Sequence, residues 1–257
     1  GSGKNAFKNP LSFRYLDDNF IESDAVKIGK TFMDYLKKTK DPRIHVYCSL
    51  KDGNTEFDKQ FGLPNGYDSH TIADAPSGSF VGLENTSNFN INTILRLDAP
   101  TIFLMPSETK LLLAEAVLRN WTNGNAEVLY KEAITSSMKE QEIAYGTQGK
   151  ITDEEIETYL AQNLFSTANN TEKLQIIGEQ YWVATFINGY ESYANWRRTG
   201  YPKLIPTNYS GSMSPGVIPT RLPYPTDEYS INRANVDTAN QQQGADKVTT
   251  HIWWDID

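Results

Sequence analysis

The sequence predicts a mainly α-helical fold, with helical hairpins, long irregular loops and few short strands. Two observations favour it: apolar residues recur at helical spacing through most of the second half, and residues 51–100 show no such periodicity. Apolar residues make up 39% of the 257 residues, enough for a packed core. The mean hydropathy is −0.53. No run approaches the roughly 20 apolar residues that cross a bilayer, so the composition is typical of a soluble chain.

The first helix is predicted over residues 23–38. Ser23 is a suitable N-cap, and the lysines at the other end match the negative end of the helix dipole. Asp41-Pro42 ends the helix, because proline cannot continue it. Residues 43–47 are predicted as a short strand.

Residues 51–100 are predicted as a loop-rich region. Glycine, proline, asparagine and serine recur there among isolated aromatic residues. So long an irregular stretch is uncommon in a compact domain and is often functional.

The most regular part of the sequence predicts a helical hairpin. One helix is expected over 106–119 and a second over 125–142, joined by the Trp-Thr-Asn-Gly turn at 121–124. Two helices with so short a connection must pack antiparallel.

The helices that follow are marked by caps and breakers. Thr152 and Glu155 have the spacing of a capping box at the start of a helix. A longer helix is predicted over 171–198, and short helices near 228–232 and 235–241. No clean boundary follows the first hairpin helix, so the chain is predicted to be one domain portion. Its three parts are 1–105 (helix and loops), 106–202 (helical hairpins) and 203–257 (a proline-rich C-terminal segment).

Charge and cysteine content exclude several classes of function. The chain has 24 basic and 32 acidic residues, a net charge of −8. Nucleic-acid binding relies on clustered lysine and arginine, so no nucleic-acid partner is predicted. Cys48 is the only cysteine, which excludes an intramolecular disulfide and a cysteine-based zinc site. We interpret Cys48 as a small apolar residue.

The sequence has no recognisable catalytic constellation. His45, His70 and His251 are widely spaced and share no ligand spacing, so neither a metal nor a cofactor is predicted. The acidic residues at 153–157 resemble a glycosidase pair only superficially. Capping and the helix dipole explain them better, and no catalytic residue is assigned.

The aromatic residues indicate a binding function. The chain contains 5 Trp, 14 Tyr and 11 Phe. Aromatic faces can stack on sugar rings while amide and carboxylate side chains bind the hydroxyl groups. The candidates in loops are Tyr67, Trp121 and Tyr209. Core packing is the alternative, since a tryptophan in a turn often folds back over its helix pair.

Five segments carry a resemblance to the SusD/RagB family of nutrient-binding lipoproteins. Residues 110–138 look like a tetratricopeptide-type unit. The other four segments are similar to the SusD-like, starch-binding and outer-membrane-associated subgroup: KIGKTFMDYLKKTKDPRI at 27–44, GEQYWVATFINGYESYANWRRTGYP at 178–202, IPTRLPYPTDEYSIN at 218–232 and IWWD at 252–255.

The resemblance implies a non-catalytic protein on the outer face of the outer membrane. Such a protein captures polysaccharide or oligosaccharide and delivers it to a SusC-like TonB-dependent transporter. The family is about twice as long and is lipid-anchored at its N-terminus, and that anchor is not present in these 257 residues. Two alternatives stay open: a helical-repeat interaction scaffold without a small ligand, and a relative that binds peptides or other nutrients.

Overall fold

A computed structural model describes residues 9, 27–67, 70–208 and 212–255. The fold class is confirmed, since the described part of the chain is mainly helical with few short strands. Contacts divide the chain into two compact units, Gly1–Gly189 and Tyr190–Asp257. That residues 1–257 form a single domain portion stays a prediction, because units defined by contacts need not coincide with a domain defined by family membership.

The first unit carries most of the regular structure. Its elements are α1 (Lys30–Thr39), α2 (Ile44–Tyr47), β1 (Cys48–Ser49), β2 (Asn88–Phe89), α3 (Pro106–Leu118), α4 (Ala126–Tyr145), α5 (Asp153–Gln162) and α6 (Asn170–Ala184). The two strands pair antiparallel, with Cys48 opposite Phe89. Cys48 is fully buried, which agrees with its interpretation as a small apolar residue.

The second unit is smaller. It contains α7 (Gly189–Thr199), which begins at the boundary residue, and then α8 (Thr226–Ile231) and α9 (Arg233–Gln243). The helices predicted at 228–232 and 235–241 therefore exist, and the second is longer than expected. Gly200, directly after α7, has a φ of +69°, the left-handed conformation that ends helices.

Helix α1 is shorter than predicted. Residues 27–29 are not helical, because the backbone there pairs with a distant segment: Leu63 donates to the Ile28 carbonyl and Lys30 donates to the Leu63 carbonyl, both at 2.7 Å. The predicted N-cap, Ser23, lies outside the described residues.

The strand predicted at 43–47 is wrong, because α2 occupies that segment. The Asp41 carbonyl accepts from the Ile44 N–H at 3.2 Å, and the Asp41 carboxylate accepts from the Arg43 N–H at 3.0 Å. Asp41 thus satisfies donors at the start of a helical turn. The strand begins only at Cys48, where β2 supplies a pairing partner.

Residues 51–100 are irregular, as predicted. The described residues of this stretch contain three 3₁₀ turns (Phe57–Lys59, Ile72–Asp74 and Leu83–Asn85) and the two-residue strand β2.

The predicted hairpin is formed by α3 and α4. Leu111 of α3 and Ile134 of α4 are completely buried. The carboxylate of Glu140 accepts from the Ser107 N–H at 3.1 Å and from its hydroxyl at 2.7 Å, so α4 supplies an acceptor for the first turn of α3. Asn125 caps α4 by accepting from Glu127 and Val128.

The helix predicted over 171–198 is wrong as one element, since α6 ends at Ala184 and α7 starts at Gly189. The intervening turn places Phe186 in an aromatic cluster, with its ring centroid 4.4 Å from that of Phe32 and 4.8 Å from that of Tyr47. Packing of Phe186 against these rings is a tertiary contact that helical spacing does not contain.

The capping box at α5 is confirmed and allows a first prediction. The Glu155 N–H donates to the Thr152 hydroxyl at 3.3 Å, and the Thr152 N–H donates to the Glu155 carboxylate at 2.8 Å. We expect Thr152→Ala to lower the free energy of unfolding by about 1 kcal/mol in urea denaturation, because orphaned N–H groups lose their acceptor. Thr158→Ala, an exposed position within the same helix, is the control. Equal losses in the two variants would contradict a capping role.

Candidate functional site

The structure describes two of the three predicted ligand-binding residues. Trp121 lies in the turn between α3 and α4 with 70% of its surface exposed, so it does not fold back over the hairpin. The Arg119 guanidinium lies 5.3 Å from its ring centroid. Tyr67 is half-buried in the loop before the second 3₁₀ turn, whereas Tyr209 lies outside the described residues.

Tyr67 and Trp121 do not form one aromatic surface through direct contact. Among the residues that the structure describes, no ring pair joins them. Their participation in ligand binding stays a prediction for each residue separately.

The second unit contains an open cleft that the sequence did not reveal. We call it the C-terminal cleft; its volume is about 590 Å³. Its walls come from the segment before α8, the last turns of α9 and the end of the described chain. They consist of Tyr224, Ala239, Gln242, Gln243, His251, Ile252, Trp253 and Asp255.

A buried ion pair holds Tyr224 in its wall. The Asp246 carboxylate accepts from the Arg221 guanidinium at 2.8 Å and from the Tyr224 N–H at 3.1 Å. It also accepts from the Tyr229 hydroxyl at 2.6 Å. The Arg221 guanidinium lies 4.8 Å from the Tyr224 ring centroid. One carboxylate thus fixes both the backbone and the ring position of Tyr224.

Another part of the wall comes from a short turn that carries two adjacent tryptophans, of which Trp253 lines the cleft. The Asp255 N–H donates to the Ile252 carbonyl at 2.8 Å and closes this turn. Trp254 is anchored, because the Arg197 guanidinium lies 4.6 Å from its ring centroid. The neighbouring Trp253 is 82% exposed. The turn therefore presents a rigidly attached, solvent-facing indole.

The polar groups of the C-terminal cleft are amides and one acid–imidazole pair. Gln242 and Gln243 stand in the last turn of α9, which Gly244 ends with a φ of +102°. The Asp255 carboxylate lies 3.1 Å from Nδ1 of His251. An aromatic face beside amide and carboxylate groups can bind a molecule that has both C–H faces and hydroxyl groups.

The signal for this cleft was present in the sequence without being assigned to a site. The IWWD motif at 252–255 served only as one of the segments that carry the family resemblance, and the glutamines lie in a polar stretch at 241–243. That residues 241–243 and 252–255 line the same cleft is a property of the tertiary structure. Exposed tryptophan in a polar terminal segment is the one local hint.

A second open cleft, of about 630 Å³, lies in the first unit. Its floor includes Ile44, Phe57 and Tyr159, and its rim carries charges of both signs. The charged rim residues are Lys37, Lys40, Asp58, Glu154 and Glu155. Glu155 is already used by the capping box, and the Lys37 ammonium lies 4.2 Å from the Phe61 ring centroid. Fewer of its polar groups are therefore available to a ligand than the lining residues suggest.

In the described part of the chain, no group of three or more His, Cys, Asp or Glu side chains is placed to hold a metal ion. No helix in the same residues has the length and hydropathy needed to cross a membrane.

Comparison with known proteins agrees with the resemblance in the sequence. A sequence model of the SusD-like family, described as starch-binding and associating with the outer membrane, matches residues 2–225. The comparison with curated proteins gave no match. A solved structure described as a chitin-binding protein has a TM-score of 0.74 at 29% identity, covering 97% of this chain and 53% of that one.

Two SusD homologues from Bacteroides fragilis are also similar. One has a TM-score of 0.71 at 26% identity, over 90% of this chain and 52% of its own. The other has a TM-score of 0.70 at 26% identity, over 88% and 51%. The chain spans about half the length of the solved structures that it matches.

Proposed function

Because this chain belongs to the SusD-like family of starch-binding proteins that associate with the outer membrane, we propose that it captures a glycan in the C-terminal cleft. Members of the family are non-catalytic carbohydrate-binding proteins, so the prediction that the chain is not an enzyme is confirmed. Most cleft residues follow residue 225, where the family match ends. The location of the site is therefore argued from its own chemistry.

The observation that carries this proposal is Trp253 at the edge of a polar cleft. Its indole face is exposed, while the neighbouring Trp254 is held by Arg197. A sugar ring stacked on Trp253 would have amide groups from Gln242 and Gln243 within the same cleft. A rigid aromatic side chain loses little conformational entropy on binding, which favours it as an anchor.

The structure described as chitin-binding and the family description as starch-binding define the ligands to test first. Both polymers are neutral and consist of rings with apolar faces and hydroxyl groups. The proposed ligand class is accordingly a neutral polysaccharide or its oligosaccharides. A peptide or other nutrient is the alternative within the same family.

Delivery is the second part of the proposal. A captured glycan is passed to a SusC-like TonB-dependent transporter, and the full-length protein is held by an N-terminal lipid on the cell-surface side of the outer membrane. Support comes from the family's association with the outer membrane.

The glycan prediction is tested with two matched tryptophan variants. Chito-oligosaccharides and malto-oligosaccharides are titrated by calorimetry into the unmodified chain, Trp253→Ala and Trp121→Ala. We expect the unmodified chain to bind one series, and Trp253→Ala to weaken binding at least about tenfold, because an anchoring aromatic side chain contributes about 2 kcal/mol. Trp121→Ala removes another largely exposed indole and is expected to keep the affinity.

Loss of binding in Trp121→Ala alone would place the site at the hairpin turn, as the sequence predicted. Absence of binding to both series would contradict glycan capture by this chain.

A helical-repeat interaction scaffold is the alternative function, and one observation favours it. The hairpin exposes apolar side chains on its outside: Leu112, Leu113, Val128 and Ile143. Exposed apolar groups on a helical repeat commonly bind a protein partner. A chain that binds no sugar but binds purified transporter through this surface would support the scaffold in place of the glycan site.

A further inference from the structure

We propose that Asp255 determines the ligand class of the C-terminal cleft, favouring neutral saccharides and excluding acidic ones. This inference rests on the proposed glycan-binding function. It assigns a selective role to one side chain of that site.

Asp255 is a largely buried carboxylate in the wall of the cleft. Its side chain is only 8% exposed, whereas its partner His251 is 55% exposed. The pair distance is 3.1 Å. The carboxylate therefore lies in a partly desolvated wall, where charge interactions are stronger than in water.

The arginines near the cleft are partly buried, and Nε and Nη2 of Arg197 and Nη1 of Arg221 are shielded from solvent without a hydrogen-bond partner. Arg221 is paired with Asp246, and both side chains are 8% exposed. Arg197 lies between two rings, with its guanidinium 5.4 Å from the Tyr193 centroid and 4.6 Å from the Trp254 centroid. Among the described lining residues there is no lysine and no arginine. An acidic sugar in this cleft would meet the Asp255 carboxylate with no lysine or arginine in the lining to balance its charge.

A carboxylate is also the group that recognises hydroxyl donors best. Glutamine amides both donate and accept, so Gln242 and Gln243 tolerate hydroxyl, acetamido and carboxylate groups alike. Asp255 can only accept when it is ionised, and a hydrogen bond to a charged acceptor is stronger than a neutral one. Asp255 therefore both attracts sugar hydroxyl groups and repels sugar carboxylates.

The test compares neutral and acidic polymers with the same backbone. The pairs are glycol chitin with carboxymethyl chitin, and hydroxyethyl starch with carboxymethyl starch, measured by calorimetry at low ionic strength. We expect the unmodified chain to bind the neutral member of one pair at least about fivefold more tightly, the size of a single close charge repulsion. In Asp255→Asn that ratio is expected to fall to about one.

The control separates the site from the net charge of the chain. Asp227→Asn removes the same charge from an exposed position at the start of α8, outside the cleft, and is expected to keep the ratio. A ratio that is unchanged in Asp255→Asn, or that falls equally in Asp227→Asn, would overturn the inference.

A salt series tests the same idea without a substitution. Discrimination by charge must decrease as salt rises, because counter-ions screen the interaction. A ratio that is independent of salt would argue against Asp255 even if the variant failed to fold. Binding of neither neutral polymer would contradict the proposed function itself, whereas equal binding of neutral and acidic polymers contradicts only the selective role.

Discussion

Asp41→Ala is expected to lower the free energy of unfolding by about 3–5 kcal/mol, because it leaves a buried guanidinium without its counter-ion. Asp41 and Arg43 are both completely buried. The carboxylate accepts from Nε of Arg43 at 2.9 Å and from Nη2 at 2.5 Å. A buried charge that loses its partner keeps its desolvation cost and regains nothing.

The effect extends beyond one ion pair, since Arg43 connects three helices. Its Nη1 donates to the Ser137 hydroxyl of α4 at 2.9 Å, and its Nη2 donates to the Gln180 side-chain oxygen of α6 at 2.7 Å. Gln180 in turn donates to the hydroxyls of Tyr35 and Tyr159, at 3.0 and 2.6 Å. Every polar group in this network depends on its neighbours for a partner.

Urea denaturation followed by circular dichroism measures the loss, and an exposed ion pair provides the control. Lys30 and Asp34 are 2.6 Å apart on the surface of α1. Asp34→Ala is expected to cost less than about 1 kcal/mol, because exposed pairs gain little over hydration. Similar losses in the two variants would show that the buried network does not organise the first unit.

Leu111→Ala is the second substitution with a large expected effect, about 3–5 kcal/mol in the free energy of unfolding. Leu111 is fully buried between α3 and its neighbours. Truncation removes apolar contacts and leaves a cavity that the packed hairpin can close only partly. Ile134 and Ala114, both with no exposed surface, lie in the same core.

The adjacent residue offers a control of identical chemistry. Leu112 follows on the same helix and is 42% exposed, so Leu112→Ala removes the same atoms from a partly solvated position. It is expected to cost less than half as much. Thermal and urea unfolding of the two variants measure and compare the two losses in the free energy of unfolding. If Leu112→Ala were the more damaging, the orientation of α3 in the hairpin would be wrong.

Much of the candidate site was out of reach of sequence reasoning. Trp121 was identified because a tryptophan in a turn is a local signal, and the structure places it on the surface. Trp253 was recognised only as part of a terminal motif. Gln243 and Asp255 are separated by a loop, and nothing in their spacing indicates that they line one cleft. The aromatic content therefore indicated glycan binding, while the assignment to particular residues needed coordinates.

The sequence by itself determined the features that depend on residues close to one another in the chain. The hairpin and the capping box at Thr152 follow from helical spacing and side-chain caps, all within a few positions. The family followed from motifs in order along the chain.

Only the tertiary structure decided where contacts between distant segments override these local helical and capping preferences. The start of α1 was set by pairing with Leu63, and the break before α7 by packing of Phe186 against other aromatic rings. The C-terminal cleft likewise exists because Asp246 fixes Tyr224 and because Arg197 anchors the turn that carries Trp253. Each of these joins residues far apart in the chain, and the free energy of such contacts appears only when the chain has folded.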